Sequence, residues 1–240
     1  FFMPVGTNAT VKTLSTEDLL EFDTPIVLSN TYHLFLRPGL EIIALAGGLH
    51  KFMNWKRPIL TDSGGYQVFS LPKFRKITDE GVQFRSHIDG ALHFFTPEEV
   101  IKIEKILGSD IMMPLDECAP YPCDRKYAQK ALQRTTQWAK RSKEYFLKSL
   151  SFPNASIGNP DETIIEPAGR QVKTSGGDSP QQLFGIVQGA AFKDLREQST
   201  QEILNIGFDG YAIGGVSVGE PVDVMFEALD WVIPLLPENQ

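Results

Sequence analysis

The stretch RPILTDSGGYQVFSL, from Arg57 to Leu71, decides the fold. It opens with Pro58–Leu60, a short apolar run typical of a buried strand, and changes at once to the polar group Thr61–Gln67. An ordinary turn needs only Asn-Gly or Asp-Gly, whereas this one places an aspartate before two glycines and a tyrosine. We therefore expect a strand that ends where the backbone must approach another group closely.

Composition narrows the class of protein. The chain has 240 residues, of which 42% are hydrophobic and 22% charged, a size and composition that fit one α/β domain. It contains no apolar run of membrane-spanning length and no signal-peptide pattern, which predicts a soluble, cytoplasmic protein without membrane contact. The net charge of −7 argues against a strong sequence-independent grip on nucleic acid. Cys118 and Cys123 match neither a disulfide framework nor a zinc-ligand spacing, so we predict no metal site within this chain.

Apolar runs alternate with helical patterns along the chain. The apolar runs are Phe2–Val5, Ile26–Leu28, Ile59–Leu60, Ile111–Leu115, Leu183–Val187 and Tyr211–Ile213. The helical patterns are Ser15–Phe22, Thr96–Gly108, Arg125–Leu147, Phe192–Ile206 and a segment that begins near Pro221. This alternation predicts a TIM-type (β/α)8 barrel, incomplete with about six of its eight units, as a single catalytic domain over residues 1–240. A doubly wound open sheet is the alternative.

Two segments interrupt the alternation. Phe69–Phe95 contains alternating residues and an Asp89-Gly90 turn, which predicts a β-hairpin insertion that covers the site. Residues 149–182 are rich in Ser, Pro, Gly and Asn, and they are predicted to form a mobile surface loop.

Polar residues and glycines follow five of the apolar runs. They are Asn30, Asp62, Asp116, Gln188 with Gly189, and Gly214 with Gly215. Each alone could be a helix cap, an ion-pair partner or a turn. In a parallel barrel, however, all strand ends open on one face, so the five groups together favour a pocket for a flat, polar, hydrogen-bonding ligand.

Seven separated blocks of sequence resemble the tRNA-guanine transglycosylase family in order and spacing. They are MPVGTNATVK (3–12), NTYHL (30–34), RPILTDSGGYQVFSL (57–71), FRSHIDG (84–90), LDECAPYP (115–122), GIVQG (185–189) and GYAIGGVSVGE (210–220). The resemblance covers nearly the whole chain except residues 149–182. It implies a TIM barrel that exchanges the wobble guanine of tRNA for a 7-deazaguanine base through a covalent ribosyl-enzyme intermediate. It also implies a homodimer and no organic cofactor.

The resemblance assigns roles to individual residues. Asp62 is expected to be the general acid/base, Tyr66 to stack on the flipped-out base, and Asp116 to accept hydrogen bonds from the base's N1 and exocyclic amine. Gln188 and the Gly215 N–H are expected to donate to O6 of the base. The other expected base-binding or ribose-contacting residues are Ser63, Gly64, Gly65, Gly189, Gly214, Val216 and, at the ribose, Asn30.

Cys118 and Val218 bear on which base enters. Bacterial-type members resemble this chain in carrying cysteine after Asp-Glu and valine before Gly-Glu, and they accept the small aminomethyl base preQ1. Queuine carries a bulky cyclopentenediol, for which glycine at the Val218 position would clear room. The resemblance therefore implies free preQ1 as the preferred substrate beside tRNA.

The family's pattern includes parts that this chain does not match: two further strands, an aspartate nucleophile, a basic RNA-contacting region and a structural zinc site of three cysteines and one histidine. We therefore expect a fragment that is inactive alone, with the zinc held outside it. Two alternatives remain. One is a catalytically silent accessory or RNA-binding subunit related to the transglycosylases. The other is a carbohydrate hydrolase that uses Asp62 and Asp116, which would leave the glycines and Gln188 unexplained.

Overall fold

The computed structural model describes residues 2–70, 74–151 and 180–238. The strands among these residues are β1 (Val5–Gly6), β2 (Val27–Ser29), β3 (Ile59–Thr61), β4 (Arg75–Ile77), β5 (Val82–Arg85), β6 (Leu92–Phe95), β7 (Ile111–Met112), β8 (Gln182–Val187) and β9 (Gly210–Ile213). The helices are α1 (Thr16–Glu21), α2 (Thr31–Leu36), α3 (Leu40–Ala46), α4 (Leu49–Met53), α5 (Gly65–Ser70), α6 (Pro97–Leu107), α7 (Arg125–Ser151), α8 (Lys193–Ile206), α9 (Val222–Val232) and a 3-10 turn at Ile233–Leu235.

The main sheet contains the six predicted strands, all parallel, in the order β1-β2-β3-β7-β8-β9. Their bounds differ from those of the predicted apolar runs, most clearly for β1, which lies at Val5–Gly6, and for β7, which ends at Met112. Spatial neighbours follow chain order, without the reversal that defines a doubly wound sheet. A mixed α/β fold with a parallel sheet is therefore confirmed. Closure into a barrel is not seen, because β1 and β9 do not pair with each other within the described residues.

Helix ends follow the sequence signals closely. Ser15 caps α1 in a capping box with Asp18, and Thr96 caps α6 through the Glu99 N–H. Gly108 ends α6 in the left-handed conformation, as a glycine after a helix commonly does. The four short helices α2 to α5 were not predicted, because none is long enough to show a sustained 3.6-residue period.

The insertion is a three-stranded antiparallel sheet, β4-β5-β6. The hairpin around Asp89-Gly90 is confirmed between β5 and β6, whereas Phe69 belongs to α5 and not to a strand. Val82, Phe84 and Phe95 are buried in the core. The sheet thus packs against the body of the domain, and none of its residues lines the cavity described below.

The predicted loop over residues 149–182 lies mostly outside the described residues. Where the structure does describe it, α7 continues to Ser151 and β8 begins at Gln182, so both ends of the predicted loop are regular structure. None of the helices in the described part of the chain is both long and apolar enough to cross a membrane.

Candidate active site

A cavity of about 330 Å³ opens where the parallel strands end. Nine of the predicted site residues line it: Asp62, Ser63, Tyr66, Asp116, Cys118, Gly214, Gly215, Val216 and Val218. Its apolar wall consists of strand residues, namely Leu28, Leu60, Ile186, Ala212 and Ile213, together with Met113 after β7. Residues that are far apart in the sequence therefore meet because parallel strands end on the same edge.

Five predicted residues do not line the cavity but stand behind it. Asn30, Gly64, Gly65 and Gln188 each contact a residue that does, as described below. Gly189 is different, because a Cβ built there would lie 2.6 Å from the Arg196 N atom in α8. In this structure Gly189 permits close packing of the β8 exit against α8, and the prediction that it lines the base pocket is not supported.

The carboxylate of Asp62 is surrounded by donors. Its Oδ1 accepts from the Thr31 N–H at 2.9 Å and the Gly64 N–H at 3.2 Å. Its Oδ2 accepts from the Gln67 side-chain amide at 2.9 Å and from the Asn30 amide. A carboxylate offers about four lone-pair sites, so these four donors fix its orientation and occupy them all. Asp62 can take up a proton only if one of the donors moves.

Burial raises the pKa of Asp62, and the hydrogen bonds from Asn30, Thr31, Gln67 and Gly64 oppose only part of that effect. A raised pKa brings a carboxyl group closer to the range in which it exchanges protons near neutral pH. The environment of Asp62 is therefore compatible with a group that both accepts and returns a proton.

Asp116 is buried, and it lies in a different environment. Ser63 Oγ donates to its Oδ1 at 2.7 Å, and Gln188 Nε2 donates to its Oδ2 at 2.7 Å. Burial raises the pKa of Asp116, these two hydrogen bonds oppose the shift, and the charge of Asp62 adds to it. Since only two donors reach this carboxylate, it keeps acceptor capacity for a ligand in the cavity.

The glycine pair of the opening stretch has a steric cause. A Cβ at Gly65 would lie 2.6 Å from Asp116 Oδ1, and Gly64 has a φ of +73°, a conformation that favours glycine. The strand β3 therefore ends where the chain must turn sharply and pass against Asp116. Tyr66 follows on the first turn of α5 with 51% of its surface exposed at the cavity, where its ring can stack on a ligand.

Gln188 lies behind the cavity wall, where hydrogen bonds hold both its backbone and its side chain. Its backbone N–H donates to Ser199 Oγ at 3.0 Å, and its side chain reaches Asp116, so the amide does not face open cavity. Its Oε1 is buried without a partner among the described residues. Gly215 has a φ of +61°, and a Cβ there would lie 2.4 Å from that oxygen. Both glycine conformation and space are thus required at Gly215.

Several residues that support the site were not predicted. Glu117 is buried and points away from the cavity, where it accepts from Tyr127 Oη at 2.8 Å and pairs with Arg134. Glu220 accepts from the backbone N–H groups of Ser217 and Val218 and so holds that loop. Gln67, in the opening stretch, could have been found from its place on the first helical turn after Asp62. Glu117 and Glu220 lie within two of the family blocks, LDECAPYP and GYAIGGVSVGE, but no local pattern indicates which groups they contact.

Cys118 lines the cavity, but its thiol is not a reactive group. Burial and the nearby Asp116 raise the pKa of its thiol to about 12, so the sulfur remains protonated at neutral pH. Among residues 2–70, 74–151 and 180–238, no three His, Cys, Asp or Glu side chains are placed to hold a metal ion.

Comparison with known proteins identifies the family. A family model described as TGT, queuine tRNA-ribosyltransferase, matches residues 1–240. Curated relatives named queuine tRNA-ribosyltransferase include those of Desulforudis audaxviator, 52% identical, and Desulforamulus reducens, 53% identical, each over 239 residues. Both alignments cover 100% of this chain and 56% of the relative. The relative from Symbiobacterium thermophilum is 52% identical, with 52% of its length covered. The chain thus spans about half the length of these relatives.

Proposed function

The chain belongs to the queuine tRNA-ribosyltransferase family, and we propose that the protein exchanges the wobble guanine of tRNA for a 7-deazaguanine base. The observation that carries this proposal is the pair of carboxylates, Asp62 and Asp116, that meet in one pocket in different environments. Base exchange needs one group that recognises the base edge and another that handles its proton, and these two residues differ in that way.

Asp116 is the base-recognition residue in this proposal. Guanine presents two adjacent donors, its N1–H and its exocyclic amine, to which a carboxylate is complementary. Ser63 and Gln188 hold Asp116 from the protein side, which leaves lone pairs directed elsewhere for the ligand. Tyr66 provides a stacking surface at the mouth of the same cavity.

Asp62 is the general acid/base. When the bond between ribose C1′ and guanine N9 breaks, its electron pair leaves with the base, which then accepts a proton. A carboxylate nucleophile bonds to C1′, and the incoming base later loses its own N9 proton and displaces the enzyme oxygen. We assign the nucleophile to the part of the relatives' length that this chain does not span. Asp62 can deliver and recover the proton once Asn30 or Gln67 releases its Oδ2.

The parallel sheet belongs, in this proposal, to an eight-stranded barrel. Its strands run in chain order with helices between them, and residues of four strands line the same cavity. In a TIM barrel the site lies at the carboxyl ends of the strands, as this one does. The two remaining strands would come from the rest of the protein, together with a structural zinc of the Cys3His type.

We propose preQ1 as the preferred incoming base. Cys118 and Val218 both line the cavity, and Glu220 fixes the Val218 backbone. A branched side chain at this point leaves less room than glycine, so a base with a bulky cyclopentenediol arm should bind less well by about 1–3 kcal/mol. In competition for labelled tRNA, preQ1 should be used well above queuine, and Val218→Gly should narrow the difference. Equal use of both bases by the parent protein would refute this steric reason.

The expected partners are tRNA with guanine at the wobble position and a second copy of the protein. Because tRNA is a cytoplasmic substrate, we expect the protein to act in the cytoplasm. The family resemblance supports the homodimer, which sedimentation of the intact protein would test.

Incorporation of radiolabelled guanine into tRNA by the intact protein tests the proposed function. An active transglycosylase should exchange the label in a reaction that requires guanine at the wobble position, whereas a silent accessory subunit should bind tRNA without exchange. A tRNA with adenine at that position serves as the control substrate. Absence of exchange by a folded, tRNA-binding protein would overturn the proposal.

A further inference from the structure

We propose that Arg196 is a positioning residue that aims backbone N–H groups of the β9 exit at the base. The inference rests on the proposed function, because it concerns recognition of a guanine-type base. Arg196 lies in α8, a helix with the period of a surface helix, yet its side chain is completely buried beside the cavity.

The guanidinium of Arg196 binds only backbone carbonyl groups. Its Nε donates to the Ala190 carbonyl at 2.7 Å, and its Nη2 donates to the Gly215 carbonyl at 2.8 Å. Its Nη1 donates to the carbonyls of Gly214 at 2.5 Å and Val187 at 3.3 Å. No carboxylate pairs with it in the described part of the chain.

A buried cation without an anionic partner is costly, and the cost is visible here. Burial lowers the pKa of Arg196 to about 10, although the group stays charged at neutral pH. A packing role alone could be filled by an apolar side chain of similar size. The charge and the fork-shaped set of donors are needed for something that an apolar residue cannot do, namely to orient peptide groups.

The planarity of the peptide bond gives the consequence. In a trans peptide the C=O of one residue and the N–H of the next point in opposite directions. Because the Gly214 and Gly215 carbonyls point at Arg196, the N–H groups of Gly215 and Val216 point away from it. Gly214, Gly215 and Val216 all line the cavity, and neither N–H donates to another described residue. These two donors are therefore left for a ligand acceptor, which for guanine is O6.

The same guanidinium fixes the segment on both sides of Gln188. Val187 and Ala190 flank Gln188 and Gly189, and Ala190 has a φ of +51°, an uncommon conformation for alanine. Ser217, beyond the other bound segment, has a φ of +59°. Uncommon backbone conformations persist only where surrounding contacts hold them in place. The hydrogen bonds from Arg196 to the segments after β8 and after β9 are contacts of this kind.

The test compares two bases in the intact protein. Guanine carries O6, whereas 6-thioguanine keeps the N1–H and the exocyclic amine that Asp116 is proposed to bind but has sulfur, a much weaker hydrogen-bond acceptor, in place of O6. Arg196→Lys keeps the charge but not the fork of donors, and Arg196→Met removes both. Both variants should weaken guanine binding by about tenfold or more, and 6-thioguanine binding by less than about threefold, measured by calorimetric titration or competition. Arg141→Met is the matched control, because Arg141 also makes four hydrogen bonds, to Glu98 and to the carbonyls of Asp79 and Glu80, at a place outside the cavity.

The outcomes separate this inference from the proposed function. If the parent protein neither binds guanine nor exchanges it into tRNA, the proposed function fails. If the parent is active and the Arg196 variants weaken both bases equally, or neither base, the positioning role is overturned. If both variants fail to fold while Arg141→Met folds, Arg196 is a structural residue and the proposal is rejected.

Discussion

The two ends of the parallel sheet both carry polar networks, one of them only partly buried, and the two differ in whether every group has a partner. At the amino end, Asp110 Oδ2 accepts from His50 Nε2 at 2.9 Å and from the Ile59 N–H at 2.7 Å. His50 Nδ1 in turn lies 2.9 Å from the Trp55 carbonyl, and Trp55 Nε1 donates to the Pro58 carbonyl. Each side-chain nitrogen in this group has a partner.

At the carboxyl end, the network around Asp62 and Asp116 leaves acceptors unused. Gln67 Oε1 and Gln188 Oε1 are buried without a partner among the described residues. An unpaired buried oxygen costs about 1–3 kcal/mol, and a ligand that donates a hydrogen bond to it can recover that cost. From this difference we infer that the complete network stabilises the amino end, whereas the unused acceptors at the carboxyl end remain available to a ligand.

Asp62→Asn should give the largest effect. An amide cannot shuttle a proton, so guanine exchange by the intact protein should fall by about 10²–10⁴-fold, while tRNA affinity stays largely unchanged. Labelled-guanine incorporation and a tRNA filter-binding titration measure the two quantities. If turnover by the variant stays within a few-fold of that of the parent protein, Asp62 is not the general acid/base.

Asp116→Asn should act on recognition. Replacing one carboxylate oxygen by an amide removes an acceptor for the base and places a donor against it, which should raise KM for the free base by about 10–100-fold, more than KM for tRNA. Steady-state kinetics with each substrate varied in turn would show the split. If neither constant changes, Asp116 does not contact the base and the comparison of the two carboxylates loses its basis.

His50→Gln should lower stability and leave exchange unchanged. Burial lowers the pKa of His50, but the hydrogen bonds to Asp110 and Trp55 more than offset this, so the net pKa is raised. The folded state therefore binds the proton more tightly, and this stabilisation is fully present below the unfolded pKa of about 6.5 and is lost as pH rises through the folded value. Below that pH the variant should lose about 1–2 kcal/mol of unfolding free energy.

Urea unfolding of the parent and the His50→Gln variant between pH 5 and 9 checks this result, with exchange activity of the folded fraction as the second readout. The gap between the two proteins should narrow as pH rises. A gap that widens with pH, or a loss of activity per folded molecule, would show that the amino end is not a purely structural network.

Glu104→Gln should give the smallest effect. It tests how far the site extends beyond the residues that line the cavity. Glu104 is fully buried in α6, and its Oε1 accepts from Thr61 Oγ1 at 2.8 Å and the Met113 N–H at 3.0 Å, while Oε2 has no partner among the described residues. Burial raises its pKa well above the ordinary value, the two hydrogen bonds oppose the shift, and the charge of Asp62 adds to it. It does not line the cavity.

In the parent protein the folded state keeps this proton where the unfolded chain has lost it, so unfolding free energy declines as pH rises from about 4.5 to the folded pKa. Glutamine is neutral at every pH and should remove that decline, so the change in unfolding free energy should be about 1 kcal/mol or less near pH 4.5, and the variant should gain on the parent as pH rises above it, with no change in exchange. Loss of exchange in this variant would mean that Glu104 belongs to the chemistry.

Much of the architecture could be predicted from local sequence. The six parallel strands are short apolar runs, and the ends of α1 and α6 follow from Ser15, Thr96 and Gly108, because caps and buried runs depend on neighbouring residues alone. Asp62, Asp116 and Tyr66 could be found because each follows a strand end or the turn after it. The short helices α2 to α5 and the third strand of the insertion could not, since a few residues carry too little periodicity.

The sequence by itself determined which polar residues stand at the strand ends, because a parallel sheet brings those ends to one edge whatever its details. Only the tertiary structure decided what each of them touches. It placed Gly189 against α8, turned Gln188 toward Asp116, directed Glu117 away from the cavity and buried Arg196. These contacts join residues up to 72 positions apart, as between Asp116 and Gln188, and no local pattern encodes a contact that depends on how two strands and a helix pack together.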